Sequence, residues 1–414
     1  MTPDQRHLAR RRFLRSLAAA GISLPALPAL GGLSRSVAEE GAAEARSPAD
    51  TTSKAGRSRH LVLVELQGGN DGLNTVAPYA DPSYRRLRPT LALTSDQVAV
   101  LDESAGLHPA LASLWTLWKR GDLAIVEGVG YPKPNRSHFR SIEIWETAAD
   151  ADETLLDGWL VPLTRQLPAT ETGAIRAVAL AADEGPLAGT VGDSIVLQDV
   201  ERFLRQARRL ENRALANVNP ALAHVLSVER TARRAALEFS RHLEASLTNE
   251  RVSSEDPRFV RQLDAVARLI TEDAGPQVWK VGLGSFDTHV NQLTQHATLL
   301  GQLAAGIERF HGVLDGAGRW NDVVLVTYSE FGRRAAENGS GGTDHGTAAP
   351  HFFVGGAVRG GLYGARPSID RLRGSDPVFT TDFRSLYSTI AVKWFGQSVR
   401  DTPYARFDRI DLFQ

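Results

Sequence analysis

Residues 327–356 of the sequence are TYSEFGRRAAENGSGGTDHGTAAPHFFVGG. The apolar run at 322–327 is typical of a strand that is buried on both faces, and it leads directly to Glu330. A glycine-rich loop then carries Asp344 and His345. Acidic and imidazole side chains at the carboxyl end of a buried strand can form a metal site in an open α/β sheet. This stretch therefore predicts both the frame of the fold and part of a metal site.

Two other apolar runs end in the same way. Residues 61–66 lead to Asp71, and residues 278–283 lead to Asp287 and His289. Alternate residues of an extended segment point to the same side, so Asp287 and His289 can reach one ion. Each of these sites, taken alone, is also typical of a polar surface turn, and Asp344 either binds the ion or orients a neighbouring ligand. The predicted metal ligands are Asp71, Asp287, His289, Glu330, Asp344 and His345.

A serine is predicted at the start of a helix. A strand over 122–128 and a proline-rich turn precede Ser137, and a helical pattern runs from His138 through Trp145. Ser137 is therefore expected at the N-cap, where its hydroxyl can accept a backbone hydrogen bond. A serine hydroxyl next to a bound metal can instead act as a nucleophile. Both interpretations of Ser137 remain open from the sequence, and the catalytic one is our prediction.

Substrate contacts are predicted at four further positions. Arg333 and Arg334 follow the strand end at Glu330, and guanidinium groups can bind an anionic group in bidentate fashion. A solvated basic pair is the alternative for these two arginines. The predicted substrate-binding residues are Asn70, His138, Arg333 and Arg334.

The N-terminus carries a predicted export signal. The order Arg-Arg-Arg-Phe-Leu-Arg at 10–15, followed by an apolar stretch, closely matches a twin-arginine (Tat) signal peptide. We expect residues 1–38 to be the signal, 39–58 a linker and 59–414 one domain. The Tat translocase is then a transient partner, and the mature protein is periplasmic or otherwise exported. Prolines interrupt the apolar stretch, so no stable membrane span is expected in the mature form.

Strands and helices alternate along the rest of the chain. This alternation predicts an α/β fold, a three-layer α/β/α sandwich with a mostly parallel central sheet. Residues 199–250 are rich in Arg, Ala, Glu and Leu and predict a helical insertion. The formal net charge is −1, so no nucleic-acid partner is indicated. The chain has no cysteine, which excludes thiolate ligands and a cysteine nucleophile. The predicted strands cover 60–66, 122–129, 175–181, 278–283, 322–328 and 350–355.

These motifs together resemble a bacterial Tat-exported family, domain-of-unknown-function family 1501. The matching segments are QGGNDGLN ending at Asn74, NRSHF ending at Phe139, FDTH ending at His289, SEFGR ending at Arg333 and TDHG ending at Gly346. That family is similar to the alkaline phosphatase and sulfatase superfamily, which implies an α/β/α sandwich with metals at the strand ends.

The resemblance implies a role for each motif. Asp71 would match the first-strand metal aspartate, and Ser137 would fall near the nucleophile. Asp287 and His289 would share one metal, and the late histidine of the superfamily would be His345. Glu330 would stand at the aspartate of an Asp-His pair that binds the other metal. The histidine of that pair is replaced here by Phe331, so the second site would lack one ligand.

The sequence therefore predicts an exported metal-dependent hydrolase of phosphate- or sulfate-type esters, acting on a small-molecule or polymeric substrate. The expected cofactor is one or two divalent ions, with Zn or Mn favoured and Ca or Mg possible. A non-catalytic, metal-stabilised binding or assembly protein of the periplasm, with the same fold, is the alternative, because the Glu330-Phe331 departure removes a ligand.

Overall fold

The computed structural model describes residues 57–168, 175–189, 194–197 and 255–414. The predicted signal, nearly all of the predicted linker and the predicted helical insertion at 199–250 lie outside the described residues. The strands are β1 His60–Leu66, β2 Val76–Ala77, β3 Ala99–Val100, β4 Gly106–Leu107, β5 Leu123–Gly130, β6 Ala177–Leu180, β7 Ser194–Val196, β8 Val278–Leu283, β9 Val323–Tyr328, β10 Ala349–Val354, β11 Gly361–Tyr363 and β12 Thr381–Asp382. The α-helices are α1 Gly72–Thr75, α2 Pro82–Leu87, α3 Trp115–Arg120, α4 His138–Thr147, α5 Val161–Gln166, α6 Arg258–Thr271, α7 Gln292–Gly316 and α8 Phe383–Thr389.

Short helical turns of other types complete these elements. The 3₁₀ helices are Pro109–Leu114, Gly185–Leu187 and Trp320–Asp322, and Ile390–Trp394 is a π-helix. In the described part of the chain, none of the helices combines the length and apolarity that crossing a bilayer requires.

One large sheet forms the middle of the fold. Its order is β11-β5-β10-β9-β1-β8-β6-β7, and β12 also pairs with β5. The pairs from β9 through β1, β8 and β6 to β7 are all parallel, whereas β10 is antiparallel to both β5 and β9. The prediction of a mostly parallel sheet is therefore confirmed, with one strand reversed. Parallel neighbours bring their carboxyl ends to one edge, and that edge is where the predicted site residues follow β1, β8 and β9.

The sheet is covered by helices on both faces. Every residue of β1 is buried, and its side chains alternate between two cores. Val62 and Val64 pack into the core that includes α6 and α7, whereas Leu61 and Leu63 pack into the core that includes α4, α5 and α8. Full burial of each such side chain contributes about 1.5–3 kcal/mol. The predicted α/β fold with helices on both sides of the sheet is thus confirmed, and the domain boundaries stay a prediction.

Candidate metal centre

Three predicted site residues from distant parts of the chain converge at this edge of the sheet. His138 begins α4, Asp287 follows β8, and His345 lies in the loop between β9 and β10. One ligand atom from each lies within 4.8 Å of the other two. His289 joins them, because its Nε2 lies 3.0 Å from Asp287 Oδ1 and 3.0 Å from His345 Nε2. We call these four residues the histidine cluster.

The three imidazoles of the histidine cluster share one orientation. In each ring, Nδ1 faces an oxygen that can only accept a hydrogen bond: His138 faces Glu330 Oε1 at 2.8 Å, His289 faces Asp344 Oδ1 at 3.3 Å, and His345 faces the backbone oxygen of Arg136 at 2.9 Å. With the proton of each neutral ring on Nδ1, all three of these contacts are hydrogen bonds and each Nε2 keeps a lone pair. This is the tautomer that a metal-binding histidine adopts.

The Nε2 atoms gather around one carboxylate. Asp287 Oδ1 lies 3.1 Å from His345 Nε2, and Asp287 Oδ2 lies 3.5 Å from His138 Nε2. A tetrahedral zinc with bonds of about 2.0–2.1 Å holds its ligand atoms about 3.3 Å apart. The separations around Asp287 are close to that spacing. A divalent metal ion placed among these nitrogens and the carboxylate would accept all of their lone pairs, so the donor set fits such an ion.

Glu330 connects helix α4, through His138, to the loop after β1. Its Oε1 accepts a hydrogen bond from the backbone N–H of Gly68 at 2.8 Å, besides its contact with His138. Gly68 has a φ of +112°, and a Cβ there would lie 2.5 Å from the backbone nitrogen of Asp287, so only glycine fits. The hydrogen bond with Glu330 raises the pKa of His138, although burial opposes it. Glu330 thus orients His138.

Arg333 supports Asp287 from below the surface. Its side chain is fully buried, and Nη2 lies 2.8 Å from Asp287 Oδ1. Arg333 also donates to the backbone oxygens of Gly68, Gly69, Phe286 and Thr343. Burial raises the pKa of Asp287, but the hydrogen bonds from Arg333 and His345, together with the charges of Arg333 and His289, outweigh it, and the pKa falls to about 2. The carboxylate is therefore ionised and ready to bind a cation. These contacts favour a positioning role for Arg333, and its predicted contact with substrate stays a prediction.

The four members of the histidine cluster lie within a segment that matches a family model. Residues 106–393 match the model of DUF1501, a family described as a protein of unknown function. The chain belongs to the DUF1501 family. No curated protein matches it significantly.

Several solved structures are similar to this DUF1501 protein at low identity. A protein in the alkaline phosphatase superfamily from Vibrio parahaemolyticus has a TM-score of 0.40 and 11% identity, covering 96% of this chain and 78% of that one. A sulfatase from Pseudoalteromonas sp. has a TM-score of 0.39 and 9% identity over 99% and 75% of the two chains. A lipoteichoic acid synthase from Listeria monocytogenes has a TM-score of 0.36 and 9% identity over 85% and 77%.

Asp71 of the DUF1501 chain is held by other protein groups. It is completely buried, and its Oδ2 lies 2.6 Å from Arg88 Nη1 and accepts a hydrogen bond from Gln292. Burial raises the pKa of Asp71, but Arg88, His296 and Gln292 together lower it by more, and the net shift is downward. Gln292 Oε1 in turn accepts hydrogen bonds from Thr343 and from Thr288, which lies between Asp287 and His289. Asp71 therefore reaches the histidine cluster through Gln292, and its role as a ligand stays a prediction.

Asn70 is also buried, and its polar atoms contact protein groups. Its side-chain nitrogen donates to Thr75 Oγ1 at 2.9 Å, and its Oδ1 lies 2.9 Å from His296 Nε2. The predicted contact of Asn70 with substrate is not tested by this arrangement and stays a prediction.

Ser137 adjoins the histidine cluster at the surface. Its backbone has N-cap geometry, with φ −84° and ψ 126°, yet its hydroxyl makes no capping hydrogen bond. Its two chain neighbours both contribute to the site, because the backbone oxygen of Arg136 faces His345 and the next residue is His138. The side chain of Ser137 is exposed. The hydroxyl is thus available for a role other than capping.

Asp344 and Arg334 lie at the rim of the cluster. Asp344 contacts His289 through Oδ1, and its Oδ2 lies 3.5 Å from Arg334 Nη1. A hydrogen bond from Asn338 lowers the pKa of Asp344, which keeps the carboxylate ionised. Asp344 is therefore placed to orient His289, the second of its two predicted roles. The Arg334 side chain is 37% exposed and can meet an anion from solvent.

Sequence reasoning missed two features of this site. His138 lies within the histidine cluster, where it can act as a metal ligand, and its predicted contact with substrate stays a prediction. It contacts Glu330, the residue whose expected histidine partner is replaced by Phe331. The sequence carries a signal for this, because His138 directly follows Ser137, whose hydroxyl is expected next to a metal. Arg88, the partner of Asp71, had no signal in the sequence that would have singled it out.

Proposed function

We propose that this protein is a metal-dependent hydrolase of phosphate- or sulfate-type esters. The observation that carries the proposal is the shared orientation of three imidazoles, whose Nδ1 atoms bond to oxygens and whose Nε2 atoms meet at Asp287. Nitrogen donors with one carboxylate favour zinc over manganese, and both over calcium or magnesium. Glu330 and Asp344 already bond to ring nitrogens, so we propose one ion rather than two.

The fit of this centre to ester hydrolysis depends on its access to solvent. The side chains of His138, Asp287 and His289 are 34%, 45% and 40% exposed. A substrate can therefore approach the cluster. Zinc bound there would act as a Lewis acid on an ester oxygen.

The residues around the cluster would divide the remaining tasks. The free hydroxyl of Ser137 is the proposed nucleophile, with water as the alternative. The guanidinium of Arg334 would pair with the anionic group of the ester. Arg333 would hold Asp287 in place, and Glu330 would hold His138.

The proposal is tested with the full chain. Zinc binding is measured by calorimetry, and hydrolysis is measured with a panel of aryl phosphate monoesters, phosphate diesters and sulfates. We expect binding of one zinc per chain and turnover that is lost with a chelator and restored by zinc. His345→Ala is expected to abolish both, whereas His311→Ala, a histidine outside the cluster, leaves both intact. Absence of zinc binding and of turnover on every ester would refute the proposal.

One observation favours a second candidate function, a non-catalytic protein stabilised by a metal. If all four members of the histidine cluster bind one ion, a tetrahedral shell is complete and no position is left for substrate. The variant His289→Ala distinguishes between the two candidate functions. In the enzyme, His289→Ala keeps measurable zinc binding and some turnover. In the non-catalytic protein, no ester is hydrolysed, and zinc removal lowers the thermal midpoint strongly.

We also propose that the protein is exported through the Tat pathway. The proposal is supported by the twin arginines Arg10 and Arg11, followed at the expected spacing by Phe13 and Leu14. Replacing both arginines with lysine should retain the protein in the cytoplasm of a Tat-competent bacterium. Export of that double variant at the normal rate would contradict the proposal.

A further inference from the structure

A buried lysine lies among three carboxylates in the core next to the strand ends. Lys280 is the third residue of β8, and its side chain has 0% exposure. Its Nζ lies 3.0 Å from Glu65 Oε2, 3.2 Å from Glu146 Oε1 and 2.9 Å from Asp183 Oδ1. A charge in the core is tolerated only when it is paired in this way. Lys280 therefore joins four separate segments of the chain.

Three of these segments carry the metal centre. β8, which contains Lys280, leads to Asp287 and His289. Helix α4, which contains Glu146, begins at His138. β1, which contains Glu65, leads to the loop whose Gly68 N–H binds Glu330, the partner of His138. The ammonium group thus contacts one carboxylate from the helix and one from the neighbouring strand of the site.

The contact between Lys280 and Glu146 is enclosed by the backbone at the start of the 3₁₀ helix Gly185–Leu187. A Cβ on Gly185 would lie 2.2 Å from Lys280 Nζ and 2.5 Å from Glu146 Oε1. Gly185 also has a φ of +52°, which favours glycine. Exclusion of water strengthens the attraction between the two charges. Buried ion pairs are weak evidence for stability, since apolar residues of similar size often serve as well. Their directional contacts do, however, fix the relative position of the segments they join.

We propose that Lys280 is a positioning residue of the metal centre, which sets helix α4 with His138 against strand β8 with Asp287 and His289. This inference rests on the proposed function, because it requires that the histidine cluster bind a metal ion. Lys280 acts through Glu146 and does not touch the ion or the substrate.

The test is zinc titration calorimetry on the full chain at pH 8. Glu146→Gln keeps the size of the side chain but removes the charge that links α4 to Lys280. Asp183→Asn is the matched control, because it removes a charge from the same ammonium group but lies after β6, which delivers no member of the histidine cluster. We expect a zinc dissociation constant about 10-fold higher for Glu146→Gln, the low end for residues that orient ligands, and less than about 2-fold higher for Asp183→Asn.

The outcomes separate the two proposals. A wild-type chain that binds no zinc refutes the metal centre and the role of Lys280 with it. A wild-type chain that binds zinc, with Glu146→Gln binding equally well or Asp183→Asn weakened equally, refutes the role of Lys280 alone. Lys280→Met is a poorer test, because the carboxylates of Glu65 and Glu146 would stay in the core without a cation and would prevent folding.

A pH series gives a readout that a purely structural role would not change. Burial raises the pKa of Glu146 to about 7, with Lys280 acting in the opposite direction. At pH 6 most wild-type Glu146 is neutral, like the glutamine that replaces it. The ratio of the two dissociation constants should therefore fall from about 10 at pH 8 towards 1 at pH 6. A ratio that is the same at both pH values would overturn the inference. The charged and titratable groups that face Glu146 are Lys280, Glu65, Asp183, Tyr328 and Tyr387.

Discussion

The Nδ1 atom of His138 lies 2.8 Å from the Oε1 atom of Glu330, although 192 positions separate the two residues. The first begins a helix, and the second follows the central strand β9. This pair fixes both the tautomer and the direction of the imidazole, so that Nε2 faces Asp287. Carboxylate groups that hold a ligating histidine in this way affect metal affinity without touching the metal.

Replacement of Glu330 is therefore expected to weaken metal binding. Glu330→Gln keeps an oxygen that can accept hydrogen bonds from Gly68 and His138, but it removes the negative charge that strengthens the bond with His138. We expect a 10- to 100-fold rise in the zinc dissociation constant, a range of about the size seen for such partners. Calorimetric titration with zinc measures it.

The variant Asp344→Asn allows a comparison, because Asp344 contacts a cluster histidine as Glu330 does. Asp344 contacts His289 at the longer distance of 3.3 Å, and its side chain is 44% exposed. Asp344→Asn should raise the zinc dissociation constant by less than Glu330→Gln does. An Asp344 variant that binds zinc more weakly than the Glu330 variant would reverse our order of importance for the two acids.

The variant Ser137→Ala tests whether Ser137 is the nucleophile or only the N-cap residue of helix α4. Loss of an N-cap hydrogen bond usually costs about 1 kcal/mol, but the hydroxyl of Ser137 makes no such bond. We expect the free energy of unfolding to change by less than about 0.5 kcal/mol, as for an ordinary surface substitution. Zinc affinity should stay the same, and turnover should fall by at least about 100-fold. Urea unfolding, calorimetry and ester hydrolysis give the three values; unchanged turnover would leave water as the nucleophile.

The strands that frame the site could be predicted because their sequences are continuous apolar runs with polar residues at the carboxyl ends. The run at 278–283 illustrates both the success and its limit. The apolar residues of this run predict a buried strand, but they are interrupted by the charged Lys280, whose partners the strand prediction does not supply. A lysine inside a buried strand requires acidic partners, and that rule alone indicates a buried charge cluster.

The partners of each site residue could not be predicted, because they depend on how the strands are ordered in the sheet. The antiparallel strand β10 lies between β5 and β9, and nothing in its apolar sequence distinguishes it from a parallel strand. This order brings the helix that follows β5 beside the end of β9, and so brings His138 to Glu330. Likewise, the pairing of Asp71 with Arg88 depends on the packing of short segments after β1.

The adjacent arginines Arg333 and Arg334 are expected to behave differently. Arg333 is buried and bonds to four backbone oxygens and Asp287, so Arg333→Met should lower the free energy of unfolding by roughly 3 kcal/mol or more. Arg334→Met removes only a long, partly exposed contact with Asp344. It should change the free energy of unfolding by less than about 0.5 kcal/mol. If Arg334 binds the anionic group of the substrate, its loss should raise KM with little change in stability. Urea unfolding and steady-state kinetics of both variants measure these effects, and a stable Arg333→Met protein would contradict the positioning role.

The buried carboxyl group of Glu146 should make stability depend on pH in a defined direction. Its pKa is raised by burial from 4.5 to about 7, so the folded protein holds this proton more tightly than the unfolded chain does. The contribution of Glu146 to stability is therefore complete below about pH 4.5 and is lost as the pH rises to 7. The loss amounts to at most roughly 3 kcal/mol, at 1.36 kcal/mol for each unit of pKa. Other groups titrate in the same range, so the comparison is with Glu146→Gln, which cannot ionise. Relative to wild type, that variant should gain stability steadily between pH 4.5 and pH 7 in urea unfolding experiments. A stability difference that stays constant over this range would show that Glu146 does not change its charge there.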